Sequence, residues 1–245
     1  MLLAVTALLA IAPVQFSLKI DGFERTALVV APSEIKKPAP VVLAFHGHGG
    51  NAKYSVAKFT FPEVWPEVIA VYPQGLPTVT PRDPKGTRNG WEAARTSDNK
   101  DFKFVDALLK ELKHRYSVNS KQIFVMGHSN GGSFTYALWA TRPDQFAAFG
   151  PCSAAGTRGI SPKPAFISMG ETDAIVSPEM QHLAIETVKK ENGVSGAGNS
   201  LGKYLTRYES ADPVVTYIYP GGHNFPTACI KPMADFFKGI AAKNP

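Results

Sequence analysis

Ile123-Phe-Val-Met-Gly-His-Ser-Asn-Gly-Gly-Ser133 is the stretch from which the rest of the chain is read. Its four leading apolar residues, Ile123 to Met126, predict a short buried strand, and Gly127-His-Ser-Asn-Gly131 fits G-x-S-x-G. Helical spacing follows at once, with Phe134, Leu138 and Trp139 on one face before Arg142-Pro143 ends the run. A serine in so sharp a strand-to-helix turn has a strained backbone, and flanking glycines let neighbouring segments pack against it without Cβ clashes. The turn lifts the Ser129 hydroxyl above the sheet edge, near the positive end of the helix dipole. A chance Gly-Ser-Gly turn satisfies the same five letters, so the flanking segments must carry the argument.

Upstream, Val41 to Phe45 is a continuous apolar run, as expected of a strand covered on both faces, and it leads into His46-Gly-His-Gly-Gly50. Val68 to Tyr72 predicts another buried strand. Earlier still, Phe16–Ile20 and Arg25–Ala31 flank the turn Asp21-Gly22, a hairpin signal that predicts an antiparallel edge. The stretch from Pro73 to about Lys100 is rich in Pro, Gly, Thr and Asp and carries Trp91; a loop of that length in a compact domain is usually functional. Phe102, Val105, Leu108, Leu109, Leu112 and Tyr116 then share a helical face. Beyond the elbow, strands are predicted at Phe146–Phe149, Ala165–Met169 and Val214–Tyr219, and helices at about Pro178–Lys190 and Ala234–Ala242. The Gly/Ser/Asn-rich segment 192–200 reads as a link. Strands alternating with helices predict one α/β domain over 16–245, with a mostly parallel central sheet, an N-terminal antiparallel hairpin and helices on both faces.

Bulk composition narrows the function. At 245 residues, 44% hydrophobic and 19% charged, the chain has ordinary globular composition. The net charge of +6 comes from scattered basic residues, with Lys36-Lys37 and Lys189-Lys190 the longest runs, so no nucleic-acid partner is expected. Two cysteines, Cys152 and Cys229, make neither a zinc site nor a disulfide framework, and sequence leaves open whether they pair. The apolar, uncharged run Met1–Val14 is too short to span a bilayer. It resembles the core of a secretory signal over residues 1–15, so a secreted or periplasmic location is expected and no membrane partner. A buried N-terminal strand is the other reading.

Serine becomes a nucleophile only when a base takes its proton, and the base needs an orienting acid. In this architecture the order is Ser, then Asp or Glu, then His, each in a loop after a strand. Two histidines lie downstream of Ser129. His182 falls inside a predicted helix, whereas His223 sits in Pro220-Gly-Gly-His-Asn-Phe-Pro226, just past a strand. For the acid, Asp173 follows the strand ending at Met169, with Glu171 as competitor; Asp144 and Asp212 fall at the opposite end of the sheet. Two N–H donors must meet a developing oxyanion. Asn130, after the nucleophile, and His48, in the glycine-rich loop, are the candidates. Trp91 is the substrate-binding candidate, as either an exposed platform or a plug between loop and core. A rival reading takes His46, His48, His128 and His223 as metal ligands, but the lone H-x-H has no supporting Cys/His spacing. No metal and no cofactor is expected.

The pattern His46-Gly47, Gly90-Trp91, Asp101-x-x-Phe104, Gly127-His-Ser-Asn-Gly-Gly132, Gly170-x-x-Asp173 and Gly221-Gly-His223 resembles the polyhydroxybutyrate depolymerase and feruloyl esterase group of α/β-hydrolases, which also holds acetylxylan esterases. The resemblance covers about residues 16–240. It implies a secreted serine carboxylic-ester hydrolase with Ser129, Asp173 and His223 as triad; a monomer acting on a small-molecule or polymer-linked ester is expected. The cysteines that many relatives carry are replaced here by His48 and Val194, so their disulfide pattern does not transfer. A serine peptidase of the oligopeptidase type and a catalytically inactive binding protein share this fold and stand as alternatives.

Overall fold

A computed structural model describes residues 12–244. Residues 1–11, most of the expected secretory signal, lie outside that range. The chain enters as β1 (Val14–Ile20), which turns through Asp21 and Gly22, both at positive φ, into β2 (Phe23–Val30). The two strands pair antiparallel, as the hairpin signal predicts, and β1 begins two residues before Phe16. Next come β3 (Ala39–Phe45), buried throughout, and two short helices absent from the sequence reading, α1 (Ala52–Lys58) and α2 (Phe61–Val64). The strand β4 (Ile69–Pro73) follows.

The segment after β4 is a folded loop. Within it β5 (Leu76–Pro77) and β6 (Asn89–Gly90) form a small antiparallel pairing of their own. Asn99 then starts α3 (Lys100–Arg115), its side chain accepting the Asp101 and Phe102 N–H groups as a helix cap. The central strand β7 (Val118–His128) runs into α4 (Asn130–Thr141). The remaining elements are β8 (Ala148–Cys152), β9 (Ala165–Gly170), α5 (Pro178–Glu191), β10 (Asn199–Gly202), β11 (Leu205–Tyr208), β12 (Val214–Tyr219) and α6 (Ile230–Ala241).

The described residues build one ten-stranded sheet in the order β1-β2-β4-β3-β7-β8-β9-β12-β11-β10. From β4 to β12 neighbouring strands are parallel; at the edges β1–β2 and β10–β11 they are antiparallel. One face is covered by α3, α4 and α5 through residues such as Phe102, Leu108, Leu138 and Val188. The other is covered by α1, α2 and α6, with Phe61 and Phe237 among the buried side chains. Because β7, β9 and β12 are parallel, the loops leaving their C-terminal ends open on the same side.

Cys152 and Cys229 are both free and buried, and burial pushes the Cys229 thiol well above its ordinary pKa. Titration with a thiol reagent in denaturant without reductant should therefore find two thiols per chain, and almost none in the native protein. A count of zero after denaturation would mean the pair is bridged.

Candidate active site

Ser129 stands at φ 57°, ψ −120°, between the last residue of β7 and the first of α4. A non-glycine residue held there stores strain on the order of 1–3 kcal/mol, and the packing around it accounts for its persistence. Ser129 N–H donates to Cys152 O (2.9 Å), tying the elbow to β8. The turn is so tight that a Cβ at Gly127 would lie 2.2 Å from Gly131 O, and one at Gly131 would lie 2.4 Å from Phe45 O. Neither position has room for a side chain. Gly131→Ala should lower the melting temperature by many degrees and abolish activity, because the clash is with rigid backbone; calorimetry showing an unchanged melt would contradict this packing.

Three predicted residues come together here. Ser129 Oγ is 2.6 Å from His223 Nε2, and His223 Nδ1 is 2.9 and 3.1 Å from the two Asp173 oxygens. Asp173, 3% exposed, follows β9; His223 follows β12. Burial alone would raise the Asp173 pKa. The hydrogen bond from His223 and the N–H groups of Val176 (2.9 Å) and Ile175 (2.8 Å) outweigh that and hold it below the ordinary carboxylate value. Gln181, on the first turns of α5, adds a fourth donor at 3.0 Å from Oδ2. Asp173 is thus an ionised acceptor whose position is over-determined. The competing candidates do not reach this group: His182 is exposed on α5 and Asp144 is exposed on the turn after α4.

The glycine-rich loop lies against the elbow. A Cβ on Gly47 would sit 3.3 Å from Ser129 Cβ. His46, fully buried, holds this loop from within: its Nδ1 bonds Gly47 O (2.8 Å) and its Nε2 accepts Gly75 N–H (3.0 Å). Burial lowers its pKa, which keeps the ring neutral in that two-sided role. The His48 ring is largely buried, with Nε2 3.2 Å from Asp83 Oδ2 and Nδ1 close to Gly90. With both nitrogens of His46 and His223 engaged in these bonds, the metal reading finds no support in the geometry. The described residues also contain no group of three His, Cys, Asp or Glu able to hold a metal.

The platform expectation for Trp91 is corrected. Trp91 is 1% exposed, wedged edge-on to Phe45 (4.9 Å) and stacked on Phe134 (5.6 Å), with Nε1–H donated to His46 O (2.9 Å). It is the plug. Asn130 clamps the same residue by its side chain, accepting Trp91 N–H (2.7 Å) and donating to Trp91 O (2.9 Å).

Two arginines tie neighbouring loops together. Arg82, from the loop between β5 and β6, donates to Ile175 O in the loop after β9 that carries Asp173 (2.6 Å). Arg95 donates to Gly156 O (2.7 Å) and to Arg158 O in the loop after β8.

Sequence reasoning missed two contributors, Gln181 and His128. His128 Nε2 lies 2.7 Å from His223 O, and burial, with His223 as a neighbouring charge, lowers its pKa from 6.5 to about 4. The unfolded chain therefore binds this proton at a higher pH than the folded one. Its contribution is complete above pH 6.5 and is lost as pH falls toward 4, by up to roughly 3 kcal/mol. Denaturant melts from pH 7 to 4 should show that loss, and His128→Gln should flatten it.

Among known families, the prolyl oligopeptidase family matches residues 81–155. The chain is 27% identical over 163 residues to a bifunctional acetylxylan esterase/xylanase of Neocallimastix patriciarum, covering 64% of this chain and 22% of that protein's length. It is 25% identical over 220 residues to feruloyl esterase C of Emericella nidulans, covering 84% of this chain and 78% of that one. Among solved structures, the acetyl xylan esterase from Aspergillus awamori superposes with a TM-score of 0.67 at 15% identity, covering 93% of this chain and 99% of that one. That superposition, with the sheet order above, establishes the α/β-hydrolase fold expected from the sequence.

Proposed function

We propose, for this α/β-hydrolase of the feruloyl esterase-like kind, a serine carboxylic-ester hydrolase that works through an acyl-enzyme. The observation that carries the proposal is the unbroken line from Asp173 through both nitrogens of His223 to Ser129 Oγ. His223 Nε2 takes the serine proton as Oγ attacks the ester carbonyl, and Asp173 orients and stabilises the imidazolium. The backbone N–H groups of Asn130 and His48 receive the oxyanion, with Gly47 allowing the substrate carbonyl to approach Ser129. The imidazolium then gives its proton to the leaving alcohol. Water, activated by the same base, releases the acid.

The relatives named above, an acetylxylan esterase/xylanase and a feruloyl esterase, support acetyl or feruloyl esters as substrates; polyhydroxybutyrate oligomers, suggested by the motif resemblance alone, are the alternative. Export belongs to the same proposal and rests on the apolar run Met1–Val14; N-terminal sequencing of protein recovered outside the cytoplasm tests it. The oligopeptidase match over 81–155 favours a second reading, amide hydrolysis by the same triad.

The test sets p-nitrophenyl acetate, methyl ferulate, acetylated xylan, hydroxybutyrate oligomers and peptide p-nitroanilides side by side, with a fluorophosphonate probe read by mass spectrometry. Ester turnover and an adduct on Ser129 are expected. No ester turnover and no adduct would overturn the proposal, and faster cleavage of the anilides would replace it with the peptidase.

A further inference from the structure

The loop that carries the base, Pro220 to Pro226, is fastened mainly by its carbonyls. Thr172 N–H donates to Gly221 O (3.0 Å), and the Tyr219 hydroxyl lies 2.8 Å from Gly222 O and 2.5 Å from Asn224 O. Those donors belong to the acid loop or to the base's own strand. The carbonyl of His223 is held from elsewhere: its partner is His128 Nε2, at 2.7 Å, on the last residue of the nucleophile strand. A carbonyl can only accept, so this ring carries its proton on Nε2 and leaves a lone pair on Nδ1. The Nδ1 side faces the oxyanion loop, where a Cβ on Gly47 would lie 3.4 Å away. Phe225 packs edge-on against the ring (centroids 5.8 Å), and the His223 ring is 5.0 Å away. A single imidazole thus touches the nucleophile strand, the oxyanion loop and the backbone of the base.

We propose that His128 is a positioning residue for the base: by holding the carbonyl of His223 it sets the separation between His223 Nε2 and Ser129 Oγ. The proposal rests on the serine-hydrolase reading above. The other side of the base is secured independently, since Asp173 is fixed by Ile175, Val176 and Gln181, and the acid and base loops are joined by Thr172. Losing the His128 bond therefore acts on the serine side. Proton transfer depends steeply on that separation, and a misplacement of ~1 Å costs about 10²-fold. Binding of the ester does not use it, so the loss falls on kcat and leaves KM. The ring does this only while neutral. Its titratable neighbours are His223, which disfavours its charge, and Asp173, which favours it; burial together with His223 outweighs Asp173 and the bond to the carbonyl, and keeps the ring uncharged at neutral pH.

The test compares His128→Phe, which keeps an aromatic ring but no donor, with His128→Gln, which keeps a donor. On p-nitrophenyl acetate the Phe variant should lose about 10- to 100-fold in kcat with KM within about twofold, and Gln should recover most of the loss. Nitrogen-15 spectra of the wild-type imidazoles at neutral pH should show His128 as the neutral Nε2–H tautomer. A Phe variant with wild-type kcat, equal losses in both variants that track melting temperature, or a His128 protonated on Nδ1 would each overturn the proposal. If the wild type turns over no ester, the hydrolase reading falls and takes this proposal with it. An active wild type with an equally active Phe variant sinks the positioning role alone.

Discussion

Ser129→Ala should lower kcat for esters by ~10⁴-fold or more, while the melting temperature stays within a few degrees of the wild type. The substitution removes one oxygen and its 2.6 Å bond to His223 but keeps the Cβ that packs against Gly47. The backbone stays at the same positive φ, where alanine is no worse off than serine, and Ser129 N–H keeps its bond to Cys152 O. The hydroxyl goes and the elbow remains. Steady-state kinetics and calorimetry on the purified variant separate the two, and near-normal turnover would end the serine-hydrolase reading.

Trp91→Ala should behave in the opposite way, destabilising the protein by about 3–5 kcal/mol and slowing every ester alike. The indole fills the space among Phe45, Phe134 and His46, so its removal leaves a cavity directly beneath the site. It also deletes the donor to His46 O, which sits at the start of the glycine-rich loop. Denaturant melts give the stability, and kinetics on methyl ferulate and p-nitrophenyl acetate give the pattern. A loss confined to the aromatic ester, with stability unchanged, would restore the exposed platform and contradict the packing.

The elbow, the order of the catalytic candidates and the parallel strands were legible because each depends on neighbouring residues. A strand, a turn and a helix in succession announce Ser129, and a loop after a strand announces Asp173 and His223. Trp91 was ambiguous because its polar flanks say nothing of Phe45 and Phe134, which are distant in sequence. His128 and Gln181 were overlooked for the same reason, since their partners lie in other loops. Strand ends drifted where breakers mislead: β8 was expected to stop at Phe149, yet it continues through Gly150 and Pro151 to Cys152. The hairpin of β10 and β11 was hidden by composition. Residues Asn199–Gly202 are all exposed and show no apolar alternation, so only pairing with β11, and of β11 with β12, reveals them as strands.

The clasps of Arg82 and Arg95 close onto main-chain oxygens, not onto side chains. Every amino acid supplies the same carbonyl, so Ile175 and Arg158 can each be exchanged without the clasp losing its acceptor, whereas Gly156, at φ 150° and close to Tyr136, cannot. These loops can therefore drift in sequence at those two positions while they stay fastened. Substitutions in this chain should accumulate there well before they reach the strand ends that carry Ser129, Asp173 and His223.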